Sequence, residues 1–189
     1  MVRLVSPIAL IASLAMLLPL GASAGTGDYE RPYPPRIIAV TAEASSFYVE
    51  FRARDEDGGF GHSYVTLGSI DANGEVRETV VAGFMPKSAD DDYWSQFGVP
   101  VTGIVGVVRS DFTNRPSVRF RIIISKAAYY RVVSKIYILR ETWTTYELVL
   151  RNCNSFVNQI ADTVGLHVPM VTAQFPVHYV AELRALNSR

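Results

Sequence analysis

"GHSYVTLGSIDANGEVRETVVAGF", residues 61–84, predicts a β-hairpin. Residues from His62 to about Ser69 have the apolar and β-branched content of a strand, and residues 75–84 predict a return strand that Pro86 ends. Between them, residues 71–74 contain Asn-Gly, which is a strong hairpin signal. Because a hairpin joins antiparallel strands, this stretch indicates an antiparallel sheet.

The rest of the chain extends this pattern into strands followed by helices. Apolar periodicity predicts further strands at 46–53, 102–109 and 117–124, and helices at about 126–142, from Asn152 or Cys153 to about Val164, and at about 177–186. We expect a polar loop at 87–100 and a turn at 111–116. The loop's Tyr93, Trp94 and Phe97 are expected to fold onto the sheet, and the alternative is that they line an acceptor groove. A block of antiparallel strands before the helices indicates an α+β fold, in which an antiparallel sheet packs against helices.

Length and charge predict one exported domain. The 189 residues carry 18 basic and 18 acidic side chains, a balance that argues against a nucleic-acid partner. Residues 1–24 combine a basic start, an apolar stretch and a small-x-small ending, the pattern of a secretory signal peptide. We therefore predict a signal peptide at 1–24, an extended lead-in at 25–45 and the folded domain at 46–189, secreted or periplasmic, with no stable membrane span after cleavage.

The chain has one cysteine, Cys153, which cannot form an internal disulfide. It stands at the predicted start of an amphipathic helix, where free N–H groups and the helix dipole stabilise a thiolate. A backbone N–H there could also hold an oxyanion. The alternative is a buried cysteine that only packs. The residues show no metal-ligand spacing, and we expect no metal and no cofactor.

A nucleophilic cysteine needs a base, and His62 is the strongest candidate among three histidines. His167 follows Cys153 by a helix about 18 Å long, so it lies at the wrong end of that helix. His178 belongs to a later segment that can fold back, and it stays open as an alternative. The catalytic residues that we predict are therefore Cys153 and His62.

The stretches "GHSYVTLG", "AGFMP" and "NCNSFVNQIADTVG" resemble the circularly permuted branch of the papain-like, NlpC-type cysteine hydrolases, to which the lecithin:retinol acyltransferase-like proteins belong. The similarity covers roughly residues 60–86 and 146–169. In that branch the histidine strand precedes the cysteine helix. The resemblance implies a permuted papain-like fold, with His62 as the catalytic histidine and Cys153 as the nucleophile.

One position departs from the family's pattern. Acyltransferase-like members carry a second polar ring on the return strand, and a turn centred on residues 72 and 73 places Gly83 opposite His62. Glycine has no side chain with which to orient an imidazole. The third catalytic residue stays unassigned, with four polar side chains in view: Tyr64, Thr79, Asp111 and Asn152.

Together these features predict an exported cysteine hydrolase that cleaves an amide bond through an acyl-enzyme, with a peptide or acyl substrate. Peptides of bacterial peptidoglycan are the expected target, because related exported enzymes cut there. A lipid acyl hydrolase or transferase is the chemical rival. A non-catalytic exported binding domain on the same fold is the alternative from another class, and the glycine at position 83 is its main support.

Overall fold

The computed structural model describes residue 30 and residues 32–37, 44–55 and 59–188, and the predicted signal peptide lies outside them. The strands are β1 (Arg36–Ile37), β2 (Ala44–Arg54), β3 (His62–Asp71), β4 (Val76–Pro86), β5 (Val101–Gly106), β6 (Val118–Ile124) and β7 (Thr145–Tyr146). The helices are α1 (Ala89–Ser95), α2 (Ser110–Thr113), α3 (Lys126–Thr142), α4 (Cys153–Thr163) and α5 (Pro176–Asn187). The fold is therefore mixed α+β, with all strands except β7 preceding the long helices in the described part of the chain.

The described strands form one open antiparallel sheet in the order β6-β2-β3-β4-β5-β7. β1 pairs with β4 beside this path, with Arg36 opposite Val81, and Tyr33 forms a bridge to Val107. The lead-in, predicted to be extended and to have no core of its own, thus adds backbone hydrogen bonds to the sheet. No helix in the described part of the chain is both long enough and apolar enough to cross a membrane.

The inner face of the sheet packs against α3, α4 and α5. Side chains alternate along a strand, so every second residue of β2 and β3 points to this face. The buried cluster there joins Val65 and Leu67 of β3 to Phe156, Val157 and Ile160 of α4. This apolar layer fixes the position of α4 on the central strand.

The outer face of the same strands is polar. On β2, Glu50 accepts hydrogen bonds from Arg52 and Arg121 at 2.6 and 2.7 Å. Arg52 also pairs with Glu78 at 2.9 Å, and the Arg121 guanidinium lies 4.3 Å from the centre of the Tyr48 ring. The alternation of charged and apolar residues along β2 and β6 therefore matches the two environments, as the pattern predicts.

The hairpin register differs from the predicted one. Tyr64, and not His62, is directly opposite Gly83, because the turn is wider than two residues and a bulge shifts the register between Leu67 and Gly68. A register shift of two residues leaves every side chain on its original face. Gly83 therefore still shares the outer face with His62, as a diagonal neighbour.

Residues 87–100 contain a helix, α1, where a loop was predicted. The Ser88 hydroxyl accepts the backbone N–H of Asp91 at 3.1 Å and donates to its carboxylate at 2.7 Å. This Ser-x-x-Asp pair is a helix N-cap signal that was visible in the sequence. The expectation that Tyr93, Trp94 and Phe97 fold onto the sheet was wrong, because all three are at least half exposed. The turn predicted at 111–116 is also partly helical, as α2.

The long helices begin where local chemistry favours them. Ser125 caps α3 by accepting the N–H of Ala128 at 3.1 Å, and Pro176 occupies the first turn of α5, where no N–H is needed. At α4, the Asn152 side chain accepts the Ser155 N–H, while the Ser155 hydroxyl accepts the Asn152 N–H. This capping box sets the start of α4 at Cys153.

Candidate functional site

Cys153 occupies the first turn of α4, as predicted, but it is buried. Its side chain is 6% exposed. Ser63 of β3 lies beside it, and the Ser63 hydroxyl donates to the side-chain oxygen Oδ1 of Asn154 at 2.8 Å. Tyr146 of β7 also lies close to Cys153. The thiol is thus held between a central strand, a short edge strand and its own helix.

Burial decides the protonation of this thiol. It raises the pKa of Cys153, while hydrogen bonds with Ser63 and with the backbone amides of Cys153 and Asn154 act in the opposite direction. The net shift is upward, so the helix start does not deliver the lowered thiol pKa expected from its dipole. At neutral pH the side chain is a neutral thiol.

Two asparagines hold the loops around the start of α4. Asn152 donates to the backbone carbonyls of Leu148 and Thr172, at 2.6 and 3.1 Å. Asn154 donates to the carbonyls of Thr172 and Gln174, at 3.0 and 2.8 Å. The side-chain N–H groups of both asparagines therefore hold these loops against the start of α4.

His62 lies on the outer face of the sheet. Its ring stacks on Tyr64 with 5.8 Å between centroids and 8° between planes, and Arg54 is directly opposite on β2. A Cβ atom placed on Gly83 would come within 2.5 Å of His62 Nε2, so the imidazole fills the space that glycine leaves. Tyr64 itself packs with Val81 in a cluster separate from the main core.

The structure therefore does not bring the His62 ring and the Cys153 sulfur together. Ser63, adjacent to His62, points to α4, and alternation along β3 sends the two neighbours to opposite faces. The predicted base is therefore one position along β3 from Ser63, the strand residue that faces the predicted nucleophile. A Cys–His dyad needs direct hydrogen-bond contact, which this arrangement does not provide.

The surroundings of His62 are buried and charged. Burial, with a smaller effect of the Arg54 charge, lowers the pKa of His62 to about 3, so the ring is neutral. Its Nε2 atom has no hydrogen-bond partner among the described residues. Nearby, Asp111 accepts the Val108 N–H at 3.0 Å and an Arg54 N–H at 3.4 Å. Burial raises the pKa of Asp111 to about 6, against the effect of these two donors.

The other histidines make contacts elsewhere. His167 exchanges backbone hydrogen bonds with the Asn187 side chain at 2.9 and 2.8 Å, beyond the end of α4, as its spacing predicted. His178 is exposed on α5 and contacts the Phe175 ring edge-on at 6.0 Å.

The residues considered as a third catalytic member are divided between the faces. Tyr64 and Asp111 lie on the outer face with His62, and Asn152 caps α4 on the other side of the sheet. The side chain of Thr79 lies outside the described part of the molecule.

Sequence reasoning missed the immediate partners of Cys153, which are Ser63 and Tyr146. A signal for Ser63 was present, because Val65 and Leu67 mark the core-facing set of β3 and Ser63 belongs to it by parity. No comparable signal exists for Tyr146, whose strand has two residues.

In the described ranges, no group of three or more His, Cys, Asp or Glu side chains could hold a metal ion. Comparisons of the chain with protein-family models, with curated proteins and with solved structures found no match. Interpretation of the site therefore depends on its geometry alone.

Proposed function

We propose that this chain is an exported, non-catalytic binding domain built on a permuted papain-like, NlpC-type arrangement. A helix that starts at a lone cysteine and packs on an antiparallel sheet supports that arrangement. One observation carries the functional part, namely that Cys153 is buried on one face of β3 while His62 is buried on the other.

The chemistry of thiol nucleophiles supports this proposal. Attack on an acyl carbon requires a thiolate that a substrate can reach, and a base in contact with it. Here the sulfur is buried, its pKa is raised, and the nearest hydroxyls are those of Ser63 and Tyr146. Neither hydroxyl is a base at neutral pH. The polar contacts around Cys153 instead stabilise the loops at the start of α4.

Alkylation of Cys153 by iodoacetamide across pH tests the proposal. We expect slow labelling with an apparent pKa above that of an ordinary thiol, about 8.5, and no change in a His62→Ala protein. A Cys153→Ser, Asn114→Cys protein is the matched control, because position 114 is exposed and should label at the ordinary rate. Fast labelling with a lowered pKa that rises in His62→Ala would overturn the proposal.

That result would favour the second candidate, an exported cysteine hydrolase. The position of Cys153 supports it, since the sulfur lies within reach of two backbone amides at a capped helix start. In this mechanism Cys153 attacks an amide or lipid-ester carbonyl, His62 carries the thiol proton to the leaving amine or alcohol, and water then hydrolyses the acyl-enzyme. The mechanism requires a rearrangement of β3 that brings the His62 ring to the sulfur. Release of cleaved peptides from purified muropeptides, and its loss in Cys153→Ala, would establish this activity.

A further inference from the structure

The surface at α1 carries an exposed cluster of aromatic rings, here called the aromatic face and made of Tyr93, Trp94 and Phe97. Tyr93 and Trp94 belong to α1, and Phe97 follows the end of this helix. Their exposed fractions are 50%, 54% and 67%. Tyr93 contacts the other two rings edge-on, at 5.3 and 5.2 Å between centroids. A surface helix normally turns its apolar side to the core, so a cluster of rings on the outside marks an interaction surface.

The helix that carries Tyr93 and Trp94 is acidic in its first turn. Asp90, Asp91 and Asp92 form the first turn of α1, and Asp90 precedes Tyr93 and Trp94 by three and four residues, on the same side of the helix. From residue 88 to residue 108 the sequence has these three acidic residues and no lysine, arginine or histidine. A partner that covers the rings therefore meets the Asp90 carboxylate at its rim.

An open pocket of about 490 Å³ adjoins Trp94, between α1 and the strands β5 and β7. Its lining includes Asp91 and the polar side chains Thr102, Thr144 and Thr145. Hydroxyl and carboxylate oxygens accept hydrogen bonds from guanidinium or ammonium groups, and an indole face attracts the same cations. The pocket and the aromatic face thus share a preference for a long basic side chain.

We infer that the aromatic face and its pocket bind an arginine- or lysine-containing segment of a protein partner. This inference rests on the proposal that the domain binds a partner and does not cleave a substrate. The rings supply cation–π contacts, the carboxylates supply charge complementarity, and the pocket receives one basic side chain.

Titration of the full mature chain with the synthetic peptide (Arg-Gly)4, followed by calorimetry and by tryptophan fluorescence, tests the inference. We expect (Arg-Gly)4 to bind at least about tenfold more tightly than (Ser-Gly)4, with an affinity that falls as salt is added. Trp94→Ala should weaken binding about tenfold, and Asp90→Asn should flatten the salt dependence. Phe112→Ala is the matched control, because Phe112 is a 50% exposed aromatic residue on α2.

Equal binding of the two peptides, or unchanged binding by Trp94→Ala, would overturn the inference. So would a concentration-dependent dimer that Trp94→Ala dissolves, because a second copy would then cover the aromatic face. Thiol labelling is independent of these outcomes. An inert Cys153 with no peptide binding rejects only this surface, whereas a reactive, His62-dependent Cys153 rejects the proposed function itself.

Discussion

The two residues of the predicted dyad lie on opposite faces of β3, in different environments. On the inner face, the Ser63 hydroxyl donates a hydrogen bond to the Asn154 side chain, and Ser63 lies against Cys153. On the outer face, His62 stacks on Tyr64 and covers Gly83. A sequence motif on a strand therefore identifies candidate residues but does not show which face of the sheet each side chain occupies. A shift of parity by one residue separates a base from a nucleophile while the fold stays intact.

The faces also differ in how their polar groups are satisfied. The Ser63 hydroxyl and the Asn154 amide have short hydrogen bonds, whereas Nε2 of His62 and Oγ1 of Thr66 have none among the described residues. An unpaired buried polar atom costs about 1–3 kcal/mol. The inner hydrogen bonds therefore stabilise the start of α4, whereas Nε2 of His62 and Oγ1 of Thr66 make no such contribution on the outer face.

The largest effect that separates the faces is expected from Gly83→Ala. The new methyl group meets His62 Nε2 and the Tyr64 side chain, so we expect the free energy of unfolding to fall by about 2 kcal/mol. Urea denaturation measures this change. In a His62→Ala background the same substitution should cost at least about 1 kcal/mol less. Equal costs in both backgrounds would mean that the imidazole is not above Gly83.

Acidification should have opposite effects through His62 and Asp111. The folded-state pKa of His62, about 3, is below its unfolded value of about 6.5, so its contribution to stability is lost as pH falls from about 6.5 to 3. The folded-state pKa of Asp111, about 6, is above its unfolded value of about 3.9, so protonation there adds stability as pH falls from about 6 to 4.

Variants separate these two contributions. Between pH 6 and 4, Asp111→Asn should lose stability more steeply than the unsubstituted protein, by up to about 1.4 kcal/mol per pH unit. His62→Gln should shift the slope in the other direction. Urea denaturation at several pH values measures both, and the remaining titratable groups are common to all three proteins. Parallel pH profiles would show that neither group is buried as described.

The smallest effect is expected from a pair of hydroxyl deletions, one on each face. Ser63→Ala leaves the Asn154 carbonyl oxygen without its donor and should cost about 1 kcal/mol. Thr66→Val removes a buried hydroxyl that has no partner among the described residues, and we expect no loss of stability. Thermal denaturation compares the two variants. A larger loss for Thr66→Val would contradict the assignment of the faces.

Most of the fold could be predicted because periodicity and capping residues are local signals. α3 begins and ends at the predicted residues, and the strands and α4 agree within a few positions. The misses arise where tertiary contacts decide. β1 exists only through pairing with β4, and the register of the hairpin depends on a bulge that no residue type announces. α1 was missed although Ser88 and Asp91 form a cap.

The position of Cys153 could be predicted, because Asn152 and Ser155 form a recognisable capping box. Its burial could not, because the covering residues Tyr146 and Ser63 come from distant strands. The positions of Val65 and Leu67 already indicate that His62 points away from the core. The resemblance to the permuted hydrolases led instead to the prediction that His62 contacts Cys153. Pattern and parity must therefore be read together when a strand residue is assigned a catalytic role.

The proposed function depends on the placement of the His62 imidazole and the Cys153 sulfur on opposite faces of β3. Nuclear Overhauser contacts of the His62 ring protons, measured in the folded protein at neutral pH, test it most directly. We expect contacts to the Gly83 α-protons and to the Tyr64 ring, and none to the Cys153 β-protons. Contacts from the ring to the Cys153 β-protons, with those to Gly83 missing, would show that the two side chains share a face.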